Sequence, residues 1–565
     1  MKYLKKIIDI LKISDINFYF LFIFFFVSSI FNALSLSLIA VFFEKKESFF
    51  LYQYFEKYLG VEINNFAVVF FLIMFFLIIK NLTIIFNSYF INKSISVGLH
   101  NLRISIYESI PKMFNRSQNF SKPSTLLNNI TIRTNEFVVK VIRKGLDLSS
   151  EFFIFISIFT FLLIYDFFVS LTLFIIFGLI VIIFDIFSKW RVSKYGYEYR
   201  RTLDKISSLS SNLSTGIKEI YTSNAINFFK IFFSKASLLN STTAFKNQFI
   251  SNTIRPLFEI MIIISMIVAF QVYYNVGQSN FNNVGKPIVY LLGFYRIRPF
   301  FESISIFLNS LRFIQNMTNI LHRDIFENPI TKKNGKFEFL EIKNLTFNFF
   351  DDNKEIKKKD SCIRLFENLN VNFQAGKIYC IKGKTGSGKT TLLDLISGIY
   401  GSNEFINFSL DAQKKVKGPI DDMIYMSQAN FVFNATIKQN ICFQLDDKLI
   451  DDKKLDQVIE VCELDKMLLE LDNNLQTNIS EKNTNLSTGQ IQRICLARTL
   501  YQRKNLILLD EPTSNLDSLT EKKILQNLKK YLTSECIIFS SHSNFVDEIC
   551  DKVYFIENYK LTEKK

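Results

Sequence analysis

Gly383-Lys384-Thr385-Gly386-Ser387-Gly388-Lys389-Thr390 follows the apolar run Ile378-Tyr379-Cys380-Ile381 and leads straight into Thr391-Leu392-Leu393-Asp394-Leu395-Ile396. A β-rich run, a glycine-rich octet and a helical run together frame the pattern G-x-x-x-x-G-K-[ST]. Such glycines let backbone N–H groups close around phosphate oxygens at a helix N-terminus, where the helix dipole also favours negative charge. In this pattern the Lys389 ammonium neutralises β- and γ-phosphates, and the Thr390 hydroxyl, with Thr391 beside it, reaches Mg²⁺. A glycine-rich structural turn would need neither the strand before it nor the helix after it.

Outward from this loop, β-rich pieces alternate with helical ones from about residue 326 to the last residue: FEFLEIKNLTF, KIYCIKG, the helix from Lys389 to Ser397, NLILLD and CIIFSSH. That alternation predicts a parallel α/β sheet. Leu506-Ile507-Leu508-Leu509 is an apolar strand ending in Asp510-Glu511, at the carboxyl end where such sheets bind ligands. Asp510 is expected to hold Mg²⁺ and Glu511 to act as general base or water-orienting group. Leu486-Ser487-Thr488-Gly489-Gln490 opens a helix containing Gln492, Arg493 and Arg498, and its Ser and Gly offer donors to a phosphate.

The other half reads differently. Of 565 residues 49% are hydrophobic, 63 are Phe, and the net charge is +15 with a mean hydropathy of +0.18. This excludes a disordered chain and disfavours an ordinary soluble enzyme. Runs of about 20 apolar residues, the length that crosses a bilayer, lie near 18–43, 66–90, 146–165, 167–187, 257–274 and 284–308. Six transmembrane helices are therefore expected in residues 1–325. The run behind the basic MKYLKKIIDI is too long for a signal-peptide core and is taken as a retained first span. Residues 91–145 carry nine Lys/Arg against two acids and residues 188–247 ten against three, whereas 44–65 carry three Lys against four Glu. The positive-inside rule then places both basic segments in the cytoplasm and explains the charge without nucleic acid. Their apolar periodicity predicts that the second to fifth helices continue well into the cytosol. All seven cysteines fall in the last two-fifths of the chain, without metal-ligand spacing to the three histidines, as in a reduced compartment.

The ordered set of phosphate loop, Gln428, Leu486-Ser487-Thr488-Gly489-Gln490, Asp510-Glu511, Ser514-Asn515-Leu516-Asp517 and His542 resembles the nucleotide-binding domain of ABC transporters. The six runs before it resemble the membrane domain of an ABC exporter half-transporter. The resemblance covers essentially the whole chain. It implies an α-helical polytopic membrane domain (1–325) joined to a cytoplasmic α/β P-loop ABC nucleotide-binding domain (326–565). It implies ATP and Mg²⁺ as ligands, with Gln428 sensing Mg²⁺ beside Thr390 and Asp510, Asp517 in the D-loop, and His542 contacting the γ-phosphate. Two copies are expected to close head to tail, each ATP lying between the phosphate loop of one and Ser487-Thr488-Gly489-Gln490 of the other. Coupling helices are expected within 105–130 and 210–230. Since Lys389, Gln428, Asp510, Glu511 and His542 stand on one chain, a homodimer with two competent sites is expected. Two departures stand out. Thr488 replaces a glycine of the usual signature, and a β-branched residue tolerates fewer backbone angles, so domain closure is expected to suffer slightly. The adenine-stacking position is filled from Phe347-Asn348-Phe349-Phe350, where Phe349 is the candidate.

For the transported molecule the candidates are cations at membrane depth, which are costly and usually face a polar cavity: Lys80, Arg255, Arg296 and Arg298. The competing reading pairs Arg255 with Glu259 one turn on and lets Lys80 snorkel. The aromatic stretch 48–59, and the pairing of Arg255 and Glu259 with the later Tyr-Arg-x-x-Pro around Arg296, partly resemble flippases of lipid-linked oligosaccharides. That likeness implies a polyprenyl-pyrophosphate saccharide moved across a bacterial inner membrane by a multi-pass protein. Export of a peptide or hydrophobic small molecule is the alternative.

Overall fold

The computed structural model describes residues 2–44, 66–114, 129–165, 167–275, 285–326, 332–350, 362–400, 405–411, 414–479 and 486–563. The chain divides into two compact units, Met1–Ile110 with Ser121–Glu327, and Pro111–Phe120 with Asn328–Lys565.

The first unit is helical. A short amphipathic helix α1 (Lys2–Ile13) precedes α2 (Phe18–Glu44), α3 (Phe66–Phe114), α4 (Lys144–Tyr165), α5 (Phe167–Thr215), the short α6 (Ile217–Thr222), α7 (Ile226–Asn275), α8 (Gly285–Phe313) and α9 (Gln315–Phe326). Helices α3, α5 and α7 run 49, 49 and 50 residues, about 75 Å each at 1.5 Å per residue. A hydrocarbon core is about 30 Å thick, so each extends far beyond it, as the periodicity predicts. Among the described residues four stretches are long and apolar enough to cross a membrane: Phe18–Ala40, Phe70–Ile110, Ile130–Tyr165 and Ser170–Thr215. The expected fifth span lies on α7, where several side chains fall outside the described residues. The sixth lies on α8, whose middle carries Arg296, Arg298 and Glu302 and is correspondingly less apolar.

Only residue 166 separates α4 from α5, and the Ser170 hydroxyl donates to the Leu162 carbonyl at 2.7 Å across this hairpin. Short α6 falls within the expected 210–230 coupling segment. Most of the other, 105–130, and the aromatic stretch 48–59 lie outside the described residues. The interior is aromatic: Phe155 stacks on Phe300 at 4.4 Å between ring centroids, and Phe177 packs on Phe258, Phe294 and Phe301. Outward faces of α3 and α5 expose Phe71, Ile85, Phe168 and Ile183, as lipid contact requires.

The second unit is α/β. Four antiparallel strands, β1 (Phe337–Phe350), β2 (Cys362–Gln374), β4 (Ile406–Leu410) and β5 (Lys414–Lys417), form one sheet in the order β2-β1-β4-β5. The second sheet holds β3 (Ile378–Gly383), β6 (Met423–Met426), β7 (Leu506–Asp510), β8 (Cys536–Ser540), β9 (Lys552–Glu557) and β10 (Lys560–Glu563), ordered β10-β9-β3-β8-β7-β6. Five of the six are parallel. Every residue of β7 and β8 is buried, which is why both read as unbroken apolar runs rather than alternating ones. Helices α10 (Lys389–Ser397), α11 (Thr488–Gln502) and α12 (Ser518–Tyr531) accompany this sheet.

Candidate nucleotide site

Four strands of the parallel sheet deliver functional groups to the same end. The glycine-rich loop follows β3, Gln428 comes two residues after β6, Asp510-Glu511 ends β7, and His542 comes two residues after β8. This is the crevice outside the carboxyl ends of the strands, where α/β sheets take ligands. Gly388 caps α10 at φ +102°, and a Cβ there would lie 2.9 Å from a Phe366 ring atom. Only glycine lets the loop turn so tightly into the helix.

Lys389 is buried and donates from Nζ to the Gly383 carbonyl at 3.0 Å, arching back over its own loop. The same Nζ lies 2.9 Å from His542 Nε2. Burial pushes the Lys389 ammonium below its usual range, against the opposing pull of the Glu511 and Asp510 carboxylates. Gln428 Nε2 donates to Glu511 Oε2 at 3.0 Å, and His542 Nε2 lies 3.4 Å from Glu511 Oε1. Phosphate loop, Gln428, Glu511 and His542 are thus brought into one cluster.

Glu511 holds an unusual backbone, φ +50°, in the left-handed region that a side chain with a Cβ enters at a cost of about 1–2 kcal/mol. Both its peptide groups are clamped by side chains. Its N–H donates to Ser540 Oγ at 2.9 Å, and its carbonyl accepts from Gln492 Nε2 at 2.8 Å. Ser540 also donates to Asp510 Oδ1 at 2.6 Å. Sequence reasoning gave Ser540 and Gln492 no role in the site. The signal for Ser540 was its place at the end of a buried parallel strand, opposite Asp510 in register.

Whether the residues suit a magnesium nucleotide is tested by what lacks a partner. Asp510 is 1% exposed, and its Oδ2 is buried with no hydrogen bond among the described residues; the Ser387 hydroxyl in the loop is in the same state. A buried, unsatisfied carboxylate oxygen is expensive. A cation beside Asp510 and an anion over Ser387 are the groups that would satisfy them. Thr390 and Gln428 are both exposed, free to join Asp510 as oxygen ligands.

Ser487 and Gln490 form a reciprocal capping box at the start of α11: Gln490 N donates to Ser487 Oγ at 3.2 Å, and Ser487 N to Gln490 Oε1 at 2.7 Å. Thr488 is the first helical residue and does not have a positive φ, so its β-branch meets no forbidden angle. That removes the backbone reason for expecting Thr488 to hinder closure. Gly489 is the tight position, since a Cβ there would lie 2.6 Å from the Asn515 carbonyl oxygen. Asp517 caps α12 by accepting from Thr520 N at 3.0 Å, a bond that holds its carboxyl below the usual range. Arg498 braces the loop after Gln428, donating to the carbonyls of Asn440 at 2.6 Å and Phe431 at 2.7 Å. Phe349 lies on β1 opposite Ile363; its side chain falls outside the described residues.

The membrane-depth cations are placed differently from the expected pairing. Arg255 does not pair with Glu259 one turn away. Arg255 Nε bonds Glu302 Oε2 at 3.2 Å, and Glu259 Oε1 accepts from Arg298 Nη1 at 2.6 Å, both across the α7–α8 contact. Arg298 Nε also comes within 3.0 Å of Glu302 Oε1, close enough to pair ionically though not aligned as a hydrogen bond. Packed helices bring a carboxylate on the neighbour nearer than one on the same helix. Arg296 Nη1 donates to the Asn32 carbonyl at 2.9 Å and to Ser35 Oγ at 2.7 Å, joining α8 to α2. Lys80 is half-buried on α3.

A glycine-rich loop wrapping a helix N-terminus, with a lysine over it and an acid pair on a neighbouring strand, defines a P-loop nucleotide-binding fold. More narrowly, residues 366–514 match the family model described as ABC transporter, so the α/β unit holds an ABC transporter ATPase domain, and the same chain carries a helical membrane domain. Its fold is similar to that of a bacterial Atm1-family ABC exporter solved with ATP bound, at TM-score 0.76 and 15% identity over 96% of this chain and 93% of that one. A probable ABC transporter ATP-binding/permease protein of Haemophilus influenzae is 34% identical over 35% of this chain. The match takes in 36% of that relative's length. The ATP-dependent lipid A-core flippase of Photorhabdus laumondii is 24% identical over 78% of this chain and 75% of its own.

Proposed function

We propose that two copies of this chain form an ATP-hydrolysing membrane exporter, and that it moves a lipid-linked saccharide with an anionic polyprenyl-pyrophosphate anchor across a bacterial inner membrane. The observation that carries the ATPase is Glu511, clamped in a strained backbone with its carboxylate between Gln428 and His542. Lys389 and the α10 N-terminus hold the phosphates. Glu511 accepts a proton from the attacking water. His542 exchanges its bond to Lys389 for the γ-phosphate. Thr390, Gln428 and Asp510 would hold Mg²⁺, which would supply neutralisation of phosphate charge. Ser487, Thr488, Gly489, Gln490 and Asp517 serve the partner copy's nucleotide. ATP favours the closed pair over the open one, and hydrolysis removes that preference.

The saccharide-lipid assignment is supported by the half-buried cations Lys80 and Arg296 in the helical unit and by likeness to a lipid A-core flippase. Arg255 and Arg298 are neutralised by Glu302 and Glu259. Lys80 and Arg296 are therefore the better candidates for the anionic anchor, with Arg255 and Arg298 framing them. In proteoliposomes, polyprenyl-pyrophosphate saccharide should stimulate ATP turnover and cross the bilayer, and Arg296→Ala should lose the stimulation. No crossing, with Arg296→Ala like wild type, removes this substrate. Stimulation by peptide instead favours the alternative cargo.

A further inference from the structure

Directly beneath the nucleotide site, the Tyr425 hydroxyl donates to Asp394 Oδ1 at 2.9 Å. Asp394 lies on α10 four residues after Thr390, and residues at that spacing share a helix face. Tyr425 lies on β6, three residues before Gln428. Strand β6 is four residues long and sits at the edge of its sheet, with β7 as its neighbour. One short ladder constrains an edge strand weakly.

Its beginning is well anchored. The Asp422 carboxylate accepts from Asn505 N at 3.1 Å and from Phe337 N at 2.8 Å. Its far end, where the Gln428 loop departs, has the Tyr425 bond as a second tether. That tether runs to α10, the helix whose N-terminus is the phosphate loop. Gln428 in turn has to meet Glu511 at 3.0 Å, so an error in the end of β6 becomes an error at the catalytic carboxylate. Burial holds the Asp394 carboxyl up at about 6, with the Tyr425 bond opposing and the Asp510 charge adding. A carboxylate kept in so unfavourable a place, with a phenol aimed at it, has a positional use.

We propose that Asp394 and Tyr425 are positioning residues for hydrolysis: their bond keeps the Gln428 loop in register with Lys389 and Thr390, so that Gln428 serves Glu511 and the metal together. This rests on the ATPase assignment above, and the test separates the two. Full-length protein in proteoliposomes is assayed for MgATP turnover, with Mg²⁺ titrated at fixed ATP and thermal unfolding followed in parallel. Tyr425→Phe should lower kcat by about 10-fold, the scale of a sub-ångström misplacement, with KM within about 2-fold. Its Mg²⁺ midpoint should rise by about 3-fold, because Gln428 is an expected metal ligand. Asp394→Ala should copy both effects. Asp394→Asn should keep at least about half the turnover, because its amide oxygen still accepts from Tyr425. Turnover by Tyr425→Phe equal to wild type overturns the proposal while leaving the ATPase standing. So does equal loss of kcat, KM and melting temperature in all three variants, which would mean a packing role alone. A wild-type protein that hydrolyses no ATP overturns both.

Discussion

The end of the parallel sheet and the contact between α7 and α8 both gather charge in poorly hydrated surroundings, and they treat it in opposite ways. At the sheet end, Asp510 Oδ2 and Ser387 Oγ are buried without hydrogen-bond partners among the described residues, and Lys389 sits below its usual range. Between the helices, Glu302 is 4% exposed and lies against Arg255 and Arg298, while Glu259 takes Arg298 from the other side. Groups kept short of partners await a ligand, and groups that satisfy one another hold helices together. The difference separates two kinds of conspicuous charge that look alike in a sequence.

The sharpest break between the regions is Glu511→Gln. Removing the proposed base should lower ATP turnover by about 10²–10⁴-fold. Equilibrium ATP binding and thermal unfolding should hold near wild type, since the amide keeps its size and Gln428 still has an oxygen to bond. Turnover within about threefold of wild type would take Glu511 out of the base role. The mirror experiment is Glu302→Ala, which leaves Arg255 and Arg298 without their shared carboxylate. Arg298 keeps Glu259 and Arg255 is 69% exposed, so the cost is that of one lost buried partner, about 1–3 kcal/mol. Denaturation in detergent should show a loss on that scale while ATP affinity is unchanged; an unaltered transition would mean that water or lipid already satisfies the arginines.

A smaller contrast lies inside the signature segment. Gly489→Ala sets a methyl 2.6 Å from the Asn515 carbonyl oxygen, and that oxygen is backbone. Turnover should fall by about 10-fold, equivalent to about 1.4 kcal/mol of misplaced α11. Thr488→Gly should change it by less than about 2-fold, because Thr488 is already helical. If the two variants exchange ranks, the left-handed or crowded position is Thr488 and not Gly489.

How far each region was legible follows from the same physics. The phosphate loop was legible because its chemistry demands glycines, a lysine and a hydroxyl at fixed spacing within a few consecutive residues. Asp510-Glu511 and His542 followed once the buried strands β7 and β8 were recognised as apolar runs. Ser540 was not, because its role comes from lateral register with Asp510, and no local spacing encodes a neighbour 30 residues away. Arg255 shows the limit more plainly. The i,i+4 rule offered Glu259, but the partner is Glu302, 47 residues on, supplied by how α7 packs on α8. Helix length was predictable from periodicity, whereas the pairing of charges between helices depends on rotation about their axes, which hydropathy leaves open.

The last contrast is between a charge that awaits a ligand and one that is simply costly, and Asp394 tests it through pH. Burial raises its carboxyl to about 6 in the folded chain, against 3.8 for an ordinary aspartate. The folded state therefore binds this proton more tightly than the unfolded chain does. The neutral carboxyl carries no penalty below about pH 4; stability is lost as the pH rises between about 4 and 6, and the penalty is full above. At pH 7 the ionised carboxylate is a net cost, about 1 kcal/mol once its partial exposure to solvent is allowed for. Asp394→Asn carries no such charge and still accepts from Tyr425. Its unfolding transition at pH 7 should lie above that of wild type by a degree or two, roughly what 1 kcal/mol gives in a chain this long. The two transitions should converge as the pH falls toward 4. A variant less stable by the same amount at every pH would mean that the charge itself is wanted, as a fixed negative neighbour of Asp510 that strengthens the pull on a cation there.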